Sequence, residues 1–103
     1  MIPSLRSVLE AAAEDAGIGG TTDADGTRTW SAGGRIFATL DPNGTTATFR
    51  LDPVLAAAAR RTLDAGPSHH GGEWVRFSPA VVDGHAEDRA RAWFAAAVRR
   101  ATA

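Results

Sequence analysis

The apolar positions Leu5, Val8, Leu9, Ala12 and Ala16 recur at the three-to-four spacing of one helix stripe. Ser4 is placed to cap that helix and Gly17 to end it, so a first helix is expected over this segment. The stretch "GIGGTTDADGT", Gly17 to Thr27, is rich in glycine and aspartate and reads as a loop. From Arg28 to Leu51, "RTWSAGGRIFATLDPNGTTATFRL" alternates as three strand-like runs, the first two joined at Gly33-Gly34 and the last two by a Pro-Asn-Gly turn. Asp52 and Pro53 supply an N-cap and a proline at the first helical position. The alanine-rich helix they open runs through Leu63 and stops at or before Gly66-Pro67. "EWVRFS" then alternates as a fourth strand, and "AVVDG" is a candidate fifth. A last helix from about Ala86 to Ala101 buries Ala90, Trp93, Phe94, Ala97 and Ala101.

This order predicts an α+β fold in two layers: an antiparallel sheet of about five strands with helices packed on one face and the other face open. Hairpin register follows from turn length, and side chains alternate across a sheet. A two-residue turn at Gly33-Gly34 pairs Trp30 with Phe37, and a four-residue turn at Asp41 to Gly44 pairs Arg35 with Arg50. One face then collects Ile36, Ala38, Leu40, Ala47, Phe49, Leu51, Val75 and Phe77 as core. The opposite face collects Arg28, Trp30, Arg35, Phe37, Thr48, Arg50, Trp74 and Arg76. Guanidiniums beside exposed rings are what single-stranded nucleic acid requires, phosphates meeting the arginines and bases stacking on the rings. A bound anion would also relieve the like charges of Arg35 and Arg50 across a strand pair. Two other readings stay open. The arginines can lie over the rings as cation–π shields, or the face can be a homodimer interface burying Trp30 and Trp74.

With 103 residues the chain is read as a single domain, 1–103, and its apolar periodicity is that of a folded globule. No cysteine is present, which removes disulfides, thiolate metal sites and cysteine nucleophiles. No apolar run approaches the length of a membrane span and no leader pattern opens the chain, so a cytoplasmic location without membrane partners is expected. The formal net charge of −1 argues against indiscriminate polyanion binding, although all eleven basic residues are arginine.

Candidate chemistry is sparse. In "PSHHGGEWVRF", Pro67 to Phe77, the adjacent His69 and His70 diverge and do not share a metal easily, so a solvated or capping role is expected. His85 is placed to cap or pack at the last helix. "DADG" lacks the spacing and terminal glutamate of a calcium loop. No nucleophile elbow, phosphate-binding loop or dinucleotide glycine pattern occurs, and Ser68 beside His69 is only sequence adjacency. Neither a catalytic constellation nor a cofactor is expected.

At "AGGRIFATLD" (Ala32 to Asp41), "FRLDP" (Phe49 to Pro53), "WVRF" (Trp74 to Phe77) and "RARAWFAAAVRR", the chain resembles the MmcQ/YjbR family over about three-quarters of its length. The resemblance implies a frataxin-like (CyaY-like) α+β fold and a DNA-binding label without a catalytic centre. It places Arg35 at the family's basic position after a small-residue turn, and Trp74 at its loop-to-strand tryptophan. Before Trp30 the chain departs from that pattern. The acids of the first helix, Glu10, Glu14 and Asp15, are too few to carry an iron-binding role of the frataxin kind. Binding through the arginine-aromatic face is therefore the first expectation. The alternatives are a small-molecule or accessory protein with the histidine loop at a pocket rim, and a monomer or weak homodimer using the same face.

Overall fold

Ser4 caps the first helix through a reciprocal box, its hydroxyl accepting from the Ser7 amide while Ser7 accepts from the Ser4 amide. In the computed structural model, which describes residues 4–103, this helix, α1, spans Leu5–Ala16 and ends on Gly17 in the left-handed region at φ 71°. Its buried residues are Leu5, Val8, Leu9 and Ala13, so the stripe turns toward Ala13 and leaves Ala16 outside. The remaining elements are β1 (Gly20–Thr22), β2 (Arg28–Ala32), β3 (Arg35–Leu40), β4 (Ala47–Arg50), α2 (Pro53–Ala59), β5 (Ala65–Ser68), β6 (Gly71–Phe77) and α3 (Gly84–Thr102).

The strands form one antiparallel sheet in the order β1-β2-β3-β4-β6-β5. The α+β class stands, with six strands in place of about five. Both additions lie at sheet edges. Within the expected N-terminal loop, Gly20–Thr22 pairs with Arg28–Trp30. Past the expected helix stop, Ala65–Ser68 pairs along β6, with Pro67 in an edge strand where its missing N–H is tolerated. The alanine helix is correspondingly shorter, ending at Ala59, and Ala80–Asp83 forms no strand.

The core lies between the sheet and the helices. Phe94 of α3 meets Trp30 and Phe37 edge-on, with ring centroids 5.6 and 5.2 Å apart, and Trp93 meets Phe49 and Phe77 at 6.2 and 5.2 Å. These contacts correct the expected division of the sheet. Gly33 and Gly34, at φ 60° and 78°, make the tight turn as expected, and Ala32 faces Arg35 and Ser31 faces Ile36. The register then shifts, so that Trp30 faces Ala38 rather than Phe37. Phe37 is the extra residue of a β-bulge, which breaks the alternation and turns both Phe37 and Ala38 inward. Trp30 and Phe37 are each 1% exposed, while Ile36, expected in the core, is 49% exposed on the far face.

The next connection also differs. Leu40 faces Ala47 and Ala38 faces Phe49, a slip of two residues that preserves parity but separates Arg35 from Arg50. The longer loop, Asp41–Thr46, is closed by the Asp41 side chain. Its Oδ1 accepts from the amides of Thr45 at 2.7 Å and Thr46 at 3.0 Å, and the Asp41 amide donates to the Thr46 carbonyl.

Candidate functional site

The seven residues expected to share one surface do not. Trp30 and Phe37 are core residues beneath α3. Arg28 lies on their side of the sheet. Its Nε and Nη2 donate to both carboxylate oxygens of Glu10 in α1 at 2.9 and 3.2 Å, and its guanidinium stands 5.8 Å from the Trp30 ring. Arg28 thus ties the helix layer to the sheet, the shielding role weighed for these arginines.

Arg50 Nη2 donates to Glu73 at 3.1 Å, and Glu73 also accepts from Arg100 of α3. Those two partners hold the Glu73 carboxyl below the usual glutamate range, the Arg50 hydrogen bond most of all. Arg60 at the end of α2 donates to the Gly72 carbonyl at 2.7 Å, so three arginines fasten the start of β6. Arg35 is exposed beside the glycine turn. Arg76 and Trp74 do lie on the open face. Arg76 Nη1 donates to Ser78 at 3.2 Å, and its guanidinium crosses Gly66 so closely that a Cβ there would stand 2.5 Å from Nη2. A dimer built on Trp30 and Trp74 together is not available, because Trp30 is interior.

What the open face carries instead is a row of hydroxyls. Thr21, Thr29, Thr39 and Thr48 face one another in succession across β1, β2, β3 and β4, and Arg76 continues the row on β6. The Thr21 and Thr29 hydroxyls share a hydrogen bond of 2.9 Å, and those of Thr39 and Thr48 another. β-Branched threonine suits a pleated surface, and each hydroxyl keeps spare capacity to donate or accept.

Above this row is a cleft of about 470 Å³. Thr29, Thr39 and Thr48 line it with Ile36. One end is bounded by Asp23 and Thr27 of the β1–β2 connection and by Asp41 and Thr46 of the β3–β4 loop. The other is bounded by Trp74 and the β5–β6 turn, His69 and His70. The His70 ring lies 4.9 Å from Trp74 and 4.1 Å from His69, so the three rings form a tilted stack. Burial, and then the charge of His69, hold the His70 imidazole below its ordinary value. For Asp41, burial acts to raise its carboxyl. The hydrogen bonds from Thr46 and Thr45 outweigh it and hold the group below the ordinary carboxylate value.

The histidine loop is therefore at a rim, as the small-molecule alternative expected. Sequence reasoning missed Ile36, Thr29, Thr39, Asp23 and Asp41. Threonine at positions 39 and 48 between apolar neighbours, with Thr29 between Arg28 and Trp30, was the available mark of a hydroxyl row. Among the described residues no group of three or more His, Asp or Glu is arranged to hold a metal, and no helix is long and apolar enough to cross a membrane.

The fold defines the chain as a two-layer α+β domain with one sheet face uncovered. No protein-family model matches it, and no curated protein matches it. Among solved structures it is similar to a Pseudomonas syringae protein whose crystal structure was determined as a structural-genomics target. The TM-score is 0.69 at 10% identity, over 93% of this chain and 97% of that one. At that identity the likeness is one of fold.

Proposed function

We propose that the chain is a binding module that takes a small molecule on the open face of its sheet, against Trp74, Ile36 and the threonine row. The observation that carries this reading is the cleft itself. Its volume of about 470 Å³ falls within the roughly 300–1,000 Å³ of small-molecule sites. It combines an aromatic wall, an exposed aliphatic side chain and several convergent hydroxyls, the mixture by which such sites fix a ligand's orientation. The role is one of binding rather than catalysis, and a cytoplasmic location belongs to the same proposal.

Kinship with the MmcQ/YjbR family is inferred from the order of its motifs, and the agreement of element order with a CyaY-like arrangement supports it. The family's DNA-binding label has less support, since of the aromatics expected on a nucleic-acid surface only Trp74 lies outside the core.

A thermal-shift screen of neutral, cationic and anionic ring compounds tests the reading, since a ligand at about 100 times its Kd adds roughly 2.7 kcal/mol to stability. Compounds that raise Tm should lose their effect in Trp74→Ala and in Ile36→Glu, the second an exposed position that folding tolerates. A screen without hits, or hits indifferent to both variants, overturns it. Salt-dependent binding of labelled DNA that weakens in the Arg35→Ala, Arg76→Ala double variant would replace it with the nucleic-acid reading.

A further inference from the structure

The charge balance of the cleft narrows what it can hold. Its lining includes two carboxylates, Asp23 and Asp41. No arginine is among the lining residues, although Arg76 lies on the same face at the end of the threonine row. The four expected on this face are drawn off to Glu10, to Glu73, to Ser78 and across Gly66, or stand beside the glycine turn. Asp41 is held in its ionised form by the amides of its own loop. The Asp23 carboxylate has no hydrogen-bond or ion-pair partner among the described residues; its amide donates to the Thr27 carbonyl and its carbonyl accepts from the Gly26 amide.

The opposite wall is the indole of Trp74 with the His70 ring against it. The two ends are separated along the strands. Asp41 lies level with Thr46, and Trp74 is opposite Arg50, four residues further along β4. At about 3.3 Å per residue this is about 13 Å along the strands, and β3 and β6 stand two strand spacings, about 10 Å, apart across them. Once the aspartate and indole side chains have reached inward, the span suits a flat ring carrying a short chain. A cationic head at the acidic end would meet two carboxylates, the guanidiniums of Arg6 and Arg76 stopping at the Pro42 carbonyl and at Ser78, whereas a phosphate or carboxylate there would meet repulsion. The hydroxyl row between the ends offers hydrogen bonds to either charge state.

Resting on the small-molecule reading above, we infer that the ligand is a cationic amine bearing an aromatic ring, with the ring against Trp74 and the ammonium toward Asp23 and Asp41. An isosteric series tests this: tryptamine, its alcohol analogue tryptophol and its carboxylate analogue indole propionate. Each is titrated into the full chain while backbone amide resonances of Thr39, Thr48 and Trp74 are followed. Tryptamine should bind about two- to fivefold more tightly than tryptophol, with the advantage shrinking as salt rises, and indole propionate should bind weakest. Asp23→Asn should narrow the amine's advantage over the alcohol, with Asp41 retaining the rest of it.

Equal binding of amine and alcohol at those resonances, or tighter binding of the carboxylate, would overturn the amine class and leave the small-molecule reading standing. If all three leave the cleft resonances unmoved, the amine class falls, and the wider thermal-shift screen alone decides the small-molecule reading.

Discussion

Phe37 and Trp30 share the ring of Phe94 as a common neighbour, both meeting it edge-on beneath α3. Removing Phe37 to Ala should cost about 3–5 kcal/mol, because the cavity opens in the centre of the core where collapse is hindered. Its neighbour Ile36, half exposed on the other face, should cost about 1 kcal/mol or less as Ile36→Ser. Urea denaturation of the two variants checks the pair, and the reverse order would mean that the bulge is absent. The comparison is sharp because simple alternation from the Gly33-Gly34 turn assigns these residues the opposite way. The turn itself was legible, since two consecutive positive-φ positions leave little choice but glycine. The bulge was not, because an inserted residue leaves no compositional mark and is selected by what it packs against. Phe94 and Trp93, far along the chain, are what favour turning Phe37 inward. The same shift moved Arg28 with Trp30 to the helix side, where Glu10 meets it.

Among the elements, the long periodic ones could be read directly: α1, α3 and the β2–β4 meander each bury enough apolar surface to declare themselves. The edge strands could not. β1 is three residues of a glycine- and threonine-rich segment, and β5 reads as a helix stop because it contains Gly66-Pro67. What Gly66 does there is visible only in the sheet. It faces Arg76 across the β5–β6 pair, and its missing side chain leaves the lane through which that guanidinium passes. Its backbone is not in the left-handed region, so alanine can adopt the conformation, and the obstacle is Arg76 alone. Gly66→Ala should therefore displace Arg76 from β5 and cost more in the wild-type background than in an Arg76→Ala background. A coupling of about 0.5–1 kcal/mol is expected for residues in direct contact, read from the double-mutant cycle by chemical denaturation. Additive costs would mean that Arg76 does not lie across the strand. Freed from Gly66, Arg76 would also stand nearer the threonine row and should favour anionic over cationic ligands.

At the scale of the whole molecule, the cleft joins connections from three parts of the chain, and of its lining Trp74, Thr48 and the histidine rim stood out beforehand. His70 links that cleft to solution pH. Its imidazole is held below the ordinary histidine value of 6.5, so at neutral pH the Trp74 wall beside it is uncharged. Lowering the pH from 6.5 protonates the unfolded chain first, so stability falls on acidification and levels off once the folded imidazole also takes its proton. The same protonation sets a positive charge against the ring that the amine's aromatic end would occupy, while Asp41, held low by its loop amides, keeps its charge. Tryptamine affinity should therefore decline as the pH is taken below 6.5, whereas tryptophol, which carries no charge, should weaken much less. His70→Asn should abolish most of the tryptamine pH dependence and flatten the fall of Tm over the same window. The variant retains a polar side chain at an exposed turn, so the fold is not at risk. Calorimetric titration of both ligands at matched ionic strength, in the wild type and the variant, measures the effect. An unchanged pH profile in His70→Asn would remove His70 from the binding wall and leave the carboxylate end and His69 as the other ionisable groups of the lining.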